Sequence, residues 1–205
     1  MKLRFLYRLA IAFVAVCALG GCGPSKYAKS YVLNFPQTAP SVAAAPENRG
    51  ALAVREFQCP QYLCEGRIVY RPSAEEIAFY EFHRWAANPR NMVTQYVADS
   101  IRSRGLFKSV SLQDAITEPA YVLRGSIDRL EEVDQGSMVQ AVCTISAQLM
   151  NTQTKSVVWS HTATKTVPVQ TRNVPGVVDG LSAAVRMSVE ALVNALQDAA
   201  ASSLK

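Results

Sequence analysis

Histidine is scarce, with two residues among 205, and that scarcity narrows the chemistry at once. Neither His83 nor His161 has a metal-ligating neighbour three or four residues away, and no His-Glu-x-x-His or Cys-x-x-Cys occurs. A tetrahedral metal shell therefore lacks donors at the required spacing. A Gly-x-Ser-x-Gly nucleophile elbow and a Gly-rich phosphate loop are also missing. The adjacent pairs Glu75-Glu76 and Glu131-Glu132 read as solvated residues whose side chains point apart, not as an acid–base dyad. The sequence thus predicts no enzyme, with no catalytic residues, no cofactor and no metal.

Charge of either sign is sparse as well, at 18% of residues, while 49% are hydrophobic, which excludes a disordered chain. The length suits one ordinary domain. The net charge of +5 suggests a nucleic-acid partner until its position is considered. Residues 1–21 hold Lys2, Arg4 and Arg8 and no acid, leaving 18 basic against 16 acidic residues in the rest. A nucleic-acid binder keeps its positive charge on the folded domain, so no nucleic-acid partner is predicted.

The only long apolar run near the start is Leu9–Leu19, eleven residues behind a short basic stretch and ahead of Gly20-Gly21. Eleven residues are too few to span a bilayer, and the layout is that of a secretory signal peptide over 1–21. The end of the run, Leu19-Gly20-Gly21-Cys22, resembles the lipobox of bacterial lipoproteins. That resemblance implies cleavage before Cys22, with a diacylglyceryl group on its thiol and a further acyl chain, such as palmitate, on the new amine. Gly23 stands where lipoproteins retained at the inner membrane often carry Asp, so the implied destination is the periplasmic face of the outer membrane.

Export permits disulfides. With Cys22 lipidated, the mature chain keeps Cys59, Cys64 and Cys143. Cys59 and Cys64 bracket a short loop containing Pro60 between two strand-like runs and could close a disulfide, provided that the Cα separation falls near 4.4–6.8 Å. Cys143 alternates with Ala141 and Ile145 and reads as a buried, inert thiol.

Residues 22–50 read as the lipidated cysteine, a short tether and a Pro/Ala-rich segment, with a candidate first strand over 31–35. A single domain follows over 51–205. Strands are predicted over 51–57, 67–71, 77–85, 106–112, 120–130, 138–150 and 156–167. Over 77–85 the aromatic content outweighs a helical reading. Asn88-Pro89 opens a helix over about 89–104 that Gly105 ends, and Pro175-Gly176 opens a second over about 175–200 with an apolar stripe backed by alanines. The order gives an α+β domain, a largely antiparallel sheet of six to seven strands with the two helices packed on one face.

Several segments together resemble the auxiliary lipoproteins of ABC-type transport systems, the PqiC-like family. They are the lipobox Cys22, Tyr31-Val32-Leu33, Leu52-Ala53-Val54, Tyr62-Leu63, Ile68-Val69-Tyr70-Arg71, Tyr80, Arg84-Trp85-Ala86 and the helix exit Gly105-Leu106-Phe107-Lys108-Ser109-Val110. The resemblance covers most of 22–170, and Cys59 and Cys64 depart from the family pattern. It implies a non-enzymatic periplasmic subunit whose partners are a protein with mammalian-cell-entry (MCE) domains and its membrane permease, moving lipids or other hydrophobic molecules between membranes. Tyr80, Arg84 and Trp85 are candidate interface residues, and a second copy of the chain is a further candidate partner. Two other readings stay open: a carrier that binds lipid between sheet and helix, and an activator of cell-wall synthases.

Overall fold

Strand alternation is longest between Tyr121 and Pro168, and there the chain builds the backbone of its sheet. The computed structural model describes residues 27–35, 50–112, 118–134, 136 and 138–202. The signal peptide, Cys22 and the Pro/Ala-rich stretch 36–49 lie outside the described residues. In chain order the elements are β1 (Lys29–Tyr31), β2 (Ala51–Val54), α1 (Gln61–Cys64), β3 (Arg67–Arg71), β4 (Ala78–Trp85), α2 (Pro89–Ser103), β5 (Ser109–Leu112), β6 (Tyr121–Asp134), β7 (Val139–Asn151), β8 (Ser156–Pro168) and α3 (Val174–Ser202).

β6, β7 and β8 form an antiparallel meander, with β6 paired to β7 from Tyr121↔Asn151 to Asp134↔Val139. The β7–β8 turn is closed by Asn151, whose side-chain oxygen accepts the N–H groups of Gln153 and Thr154 at 2.9 and 3.1 Å. The other edge of β6 is shared. β2 runs parallel to it at Leu52–Val54, Gln58 bridges to Ser126, and β3 runs parallel at Tyr70 and Arg71. Residues 51–71 therefore follow one edge of β6 as a strand that α1 interrupts. β4 returns antiparallel beside β3, β1 lies parallel to β4, and β5 lies parallel to β2.

The domain is α+β as predicted, but the sheet is mixed. It has eight strands, and four of the seven pairings among the described residues are parallel. The antiparallel expectation came from adjacency in sequence, whereas β1, β2, β3 and β5 reach their parallel partners through crossovers that no hairpin signal announces. The first strand sits at 29–31 instead of 31–35, and the short α1 adds a helix to the two expected.

α2 begins and ends on the signals read from sequence, and α3 begins at Val174, beside the expected Pro175-Gly176. Asn88 caps α2 by accepting the Arg90 N–H at 3.0 Å, Pro89 occupies the first turn, and Gly105 follows with φ +59°. Val93, Val97 and Ile101 recur every four residues and are fully buried. α3 has 29 residues and runs about 43 Å at 1.5 Å per residue. Its small residues allow close approach to β7. The Ser188 hydroxyl donates to the Cys143 carbonyl at 3.1 Å, and a Cβ on Gly180 would sit 3.0 Å from that of Ala141. Both helices share one core with Ala141, Cys143, Ile145, Ala147 and Leu149 of β7. Burial pushes the Cys143 thiol up to about 12, which keeps it un-ionised and inert.

Gly125 is held by contact, not by its dihedrals. A Cβ there would overlap the ring of fully buried Phe57. Gly125→Val is expected to cost about 1–3 kcal/mol by overpacking, read as a lower urea midpoint with unchanged slope. An unchanged midpoint would show that Phe57 can move aside.

Candidate functional site

The aromatic and charged residues singled out in the sequence converge on the wing formed by β1, β3 and β4 and on the adjoining end of β6. Glu131 and Glu132 point to opposite faces there, as adjacent strand residues must, since Glu131 lies opposite Val142 and Glu132 opposite core-facing Ala141. Neither is solvated, however. Glu131 is 0% and Glu132 6% exposed, which corrects the expectation of a surface pair. Both lie on β6 where strands cover it on both sides, so partners must supply what water would have given.

On one face Glu131 accepts two hydrogen bonds from Arg71, Nε to Oε1 at 3.1 Å and Nη2 to Oε2 at 3.0 Å. Arg129 Nε adds a third at 2.7 Å. This fork raises the Arg71 guanidinium above its ordinary value, chiefly because Arg71 donates its hydrogen bonds to the Glu131 carboxylate. Arg71 also donates to the Ala74 carbonyl at 3.0 Å, which fixes the turn into β4.

On the other face the Tyr80 hydroxyl donates to Glu132. The Tyr80 ring lies 5.1 Å from that of Tyr70 and 5.9 Å from that of His83, and His83 Nδ1 is 3.0 Å from the Tyr31 hydroxyl. Burial, and then the bond to Glu132, pushes the Tyr80 phenol up. Burial pushes the Glu132 carboxyl up as well, by more than the Tyr80 hydrogen bond pulls it down, and Asp134 adds to the rise. A carboxyl raised in the folded state favours its protonated form there. Its charge therefore costs stability at neutral pH, and that cost is relieved as pH falls through the raised value toward the ordinary 4.5. Glu132→Gln keeps an acceptor for Tyr80 and is expected to raise the unfolding midpoint at pH 7 while removing the gain on acidification. A variant less stable than wild type at pH 7 would overturn this account.

The three candidate interface residues all lie on β4 but in different settings. Trp85 is 6% exposed and belongs to the core, its backbone N–H donating to the Gly66 carbonyl at 2.8 Å. Tyr80 is half-buried against Glu132, while Arg84 is exposed, beside Ser30 of β1 and Arg67 of β3. Beneath the wing, the structure joins Cys59 to Cys64 across Cα atoms 6.0 Å apart, around α1. The Cys64 carbonyl accepts from Asn88 at 3.2 Å, so the staple also abuts the start of α2. Thiol labelling of the unfolded, unreduced mature protein is expected to find one reactive group, Cys143. Three labels would exclude the bond.

β1 begins an arm over the segment expected to hold the first strand, and its contacts with the two long helices were not foreseen. The Tyr31 carbonyl accepts from Ala86 at 2.7 Å, Leu33 is buried, Asn34 N–H donates to Ser182 Oγ of α3 at 3.0 Å, and Phe35 stacks on Tyr96 of α2 at 4.1 Å. Between α2 and α3 a groove of about 380 Å³ is lined by Tyr96, Ser100, Arg104, Arg186, Met187 and Glu190. A cleft on the opposite sheet face carries Arg55, Gln58, Arg124, Ser126 and Gln148. The cleft is lined mainly by polar side chains, whereas the groove sets Arg104, Arg186 and Glu190 beside Tyr96, Met187 and Val193. Among the described residues no cluster of His, Cys, Asp and Glu could hold a metal, and no helix is long and apolar enough to cross a membrane.

An α+β sheet backed by two long helices, with an N-terminal arm laced across both, defines the class. The chain belongs to the ABC-type transport auxiliary lipoprotein component family, whose pattern matches residues 31–193. Among solved structures, protein XCC0632 from Xanthomonas campestris is similar at TM-score 0.72 and 22% identity, over 83% of this chain and 97% of that one. An uncharacterised protein follows at TM-score 0.62 and 13% identity, over 82% and 99%. The hypothetical protein CT253 from Chlamydia trachomatis reaches TM-score 0.52 at 7% identity, over 74% and 98%. At these identities the likeness is one of fold. No curated protein matches the chain.

Proposed function

We propose that this protein is a non-enzymatic subunit, anchored by Cys22 to the periplasmic face of the outer membrane, that docks on an MCE-domain protein of an ABC-type system moving lipids or other hydrophobic molecules between membranes. The observation that carries the reading is the order of two features. A lipobox ending at Cys22 is followed by the family's domain from residue 31. The ionisable groups of the wing engage one another, an arrangement that fixes a surface and moves no protons. The polar lining of the cleft and the charged residues Arg104, Arg186 and Glu190 in the groove favour docking over carriage of lipid. Arg84 is the exposed member of the candidate interface.

Affinity purification of the full-length protein from cross-linked envelopes tests this reading. An MCE-domain protein and its permease are expected in the eluate. A cell-wall synthase in their place, or a stoichiometric lipid with neither, would overturn it.

A further inference from the structure

The chain between the anchor and the fold is short, and the place where it ends on the domain is defined. Six residues separate Cys22 from Lys29, the first residue of β1. The seven steps from Cys22 to Lys29, at no more than about 3.6 Å each, reach about 25 Å, whereas a domain of this length is about 40 Å across. The half of the surface around β1 can therefore rest on the bilayer, and the β8 side is held away from it.

The exposed chemistry around β1 fits that position. Tyr27 is 86% and Val32 55% exposed, so two large apolar side chains flank the strand on either side. Lys29 is exposed on β1, and Arg84 is exposed on β4 next to Ser30. Between Cys22 and Val32 there is no acidic residue. Of the acids nearby, Glu65 is taken up by Arg67 at 2.7 Å, and Glu81 is exposed on β4. Amphipathic tyrosine beside lysine and arginine is the chemistry of a headgroup layer, where rings sit at the interface and cations meet phosphate.

We propose that the β1 edge, through Tyr27, Lys29, Val32 and Arg84, seats on the anionic phospholipid surface of the bilayer that holds the acyl chains of Cys22. This rests on the anchoring proposed above and adds an orientation to it. The domain stands on its β1 edge, and the β8 side is turned toward the periplasm for a protein partner.

The test is hydrogen exchange on the full-length lipidated protein in vesicles of phosphatidylethanolamine with phosphatidylglycerol, compared with phosphatidylcholine alone. Amides of residues 27–32 and 81–85 are expected to exchange about fivefold or more slowly in the anionic vesicles. Residues 156–168 of β8 should be unchanged, and Lys29→Glu with Arg84→Glu should abolish the difference while β8 reports an intact fold. Equal exchange at the β1 edge in both bilayers, or protection on β8 instead, overturns the proposal. The mass of the Cys22 peptide separates the two failures. With acyl chains present and no protection, the orientation alone falls; with no acyl chains, the anchoring falls and takes the orientation with it.

Discussion

Replacing Arg71 with alanine is expected to lower the stability of the domain by about 3 kcal/mol, among the largest losses available from a residue that is not in the apolar core. The reason lies in Glu131, whose side chain is 0% exposed while those of Arg71 and Arg129 are 19% and 41% exposed. Removing Arg71 leaves a fully buried carboxylate with one partner, and that partner is half in water. The cost is mainly the desolvation of an under-compensated charge, not the loss of a favourable pair. Arg71→Lys should recover only part of it, because an ammonium cannot reproduce the two-pronged contact. Arg71→Met combined with Glu131→Leu should lie close to wild type, since Arg129 can then turn to solvent. Urea unfolding of the set at neutral pH decides the matter. If the double variant is as unstable as Arg71→Ala, shape and not charge governs the site.

Cys22→Ala is expected to empty the outer-membrane fraction of this protein. Each buried methylene contributes about 0.8 kcal/mol to membrane attachment, and one acyl chain alone binds only reversibly. On the proposed anchoring, three chains on one residue make attachment all-or-none, and a single substitution removes every chain together. The unprocessed precursor should stay with the inner membrane or the periplasm, and transport should fall as it does in the absence of the gene. Fractionation by density with a mass measurement of the N-terminal peptide reads the result. Undiminished recovery from the outer membrane, or transport equal to wild type, would refute anchoring through Cys22.

What the sequence made legible was mainly local. Asn88, Pro89 and Gly105 announce the ends of α2 because capping and positive φ are decided within a few residues. The meander from Tyr121 to Pro168 could be read from alternation around an Asn-Thr-Gln-Thr-Lys turn. The reading of Ile77–Trp85 as strand over helix agrees with β4. Three features could not be read. The parallel partners of β1 and β5 are one, because strands of three and four residues take their place from non-local pairing, although a strand was expected around β5 over 106–112. Glu131 and Glu132 carry no mark of burial, since only the strands on both sides of β6 bury them. Trp85 reads like its exposed neighbour Arg84, and only the pairing of β4 with β1 and β3 directs one inward and the other out. The family pattern, by contrast, was visible because scattered short motifs keep their order even when each alone says little.

The arm from Lys29 to Phe35 has a mechanical meaning for a domain hung from its N-terminus. With Cys22 anchored as proposed, tension from the bilayer enters at Lys29, the first residue of β1. It is met by three register pairs with β4, by the Ala86-to-Tyr31 hydrogen bond and, further on, by Ser182 and Tyr96 of the two long helices. The load thus passes from a sheet edge into the helical layer through contacts with β4, α3 and α2. A partner rocking at the far end would pull against the whole molecule.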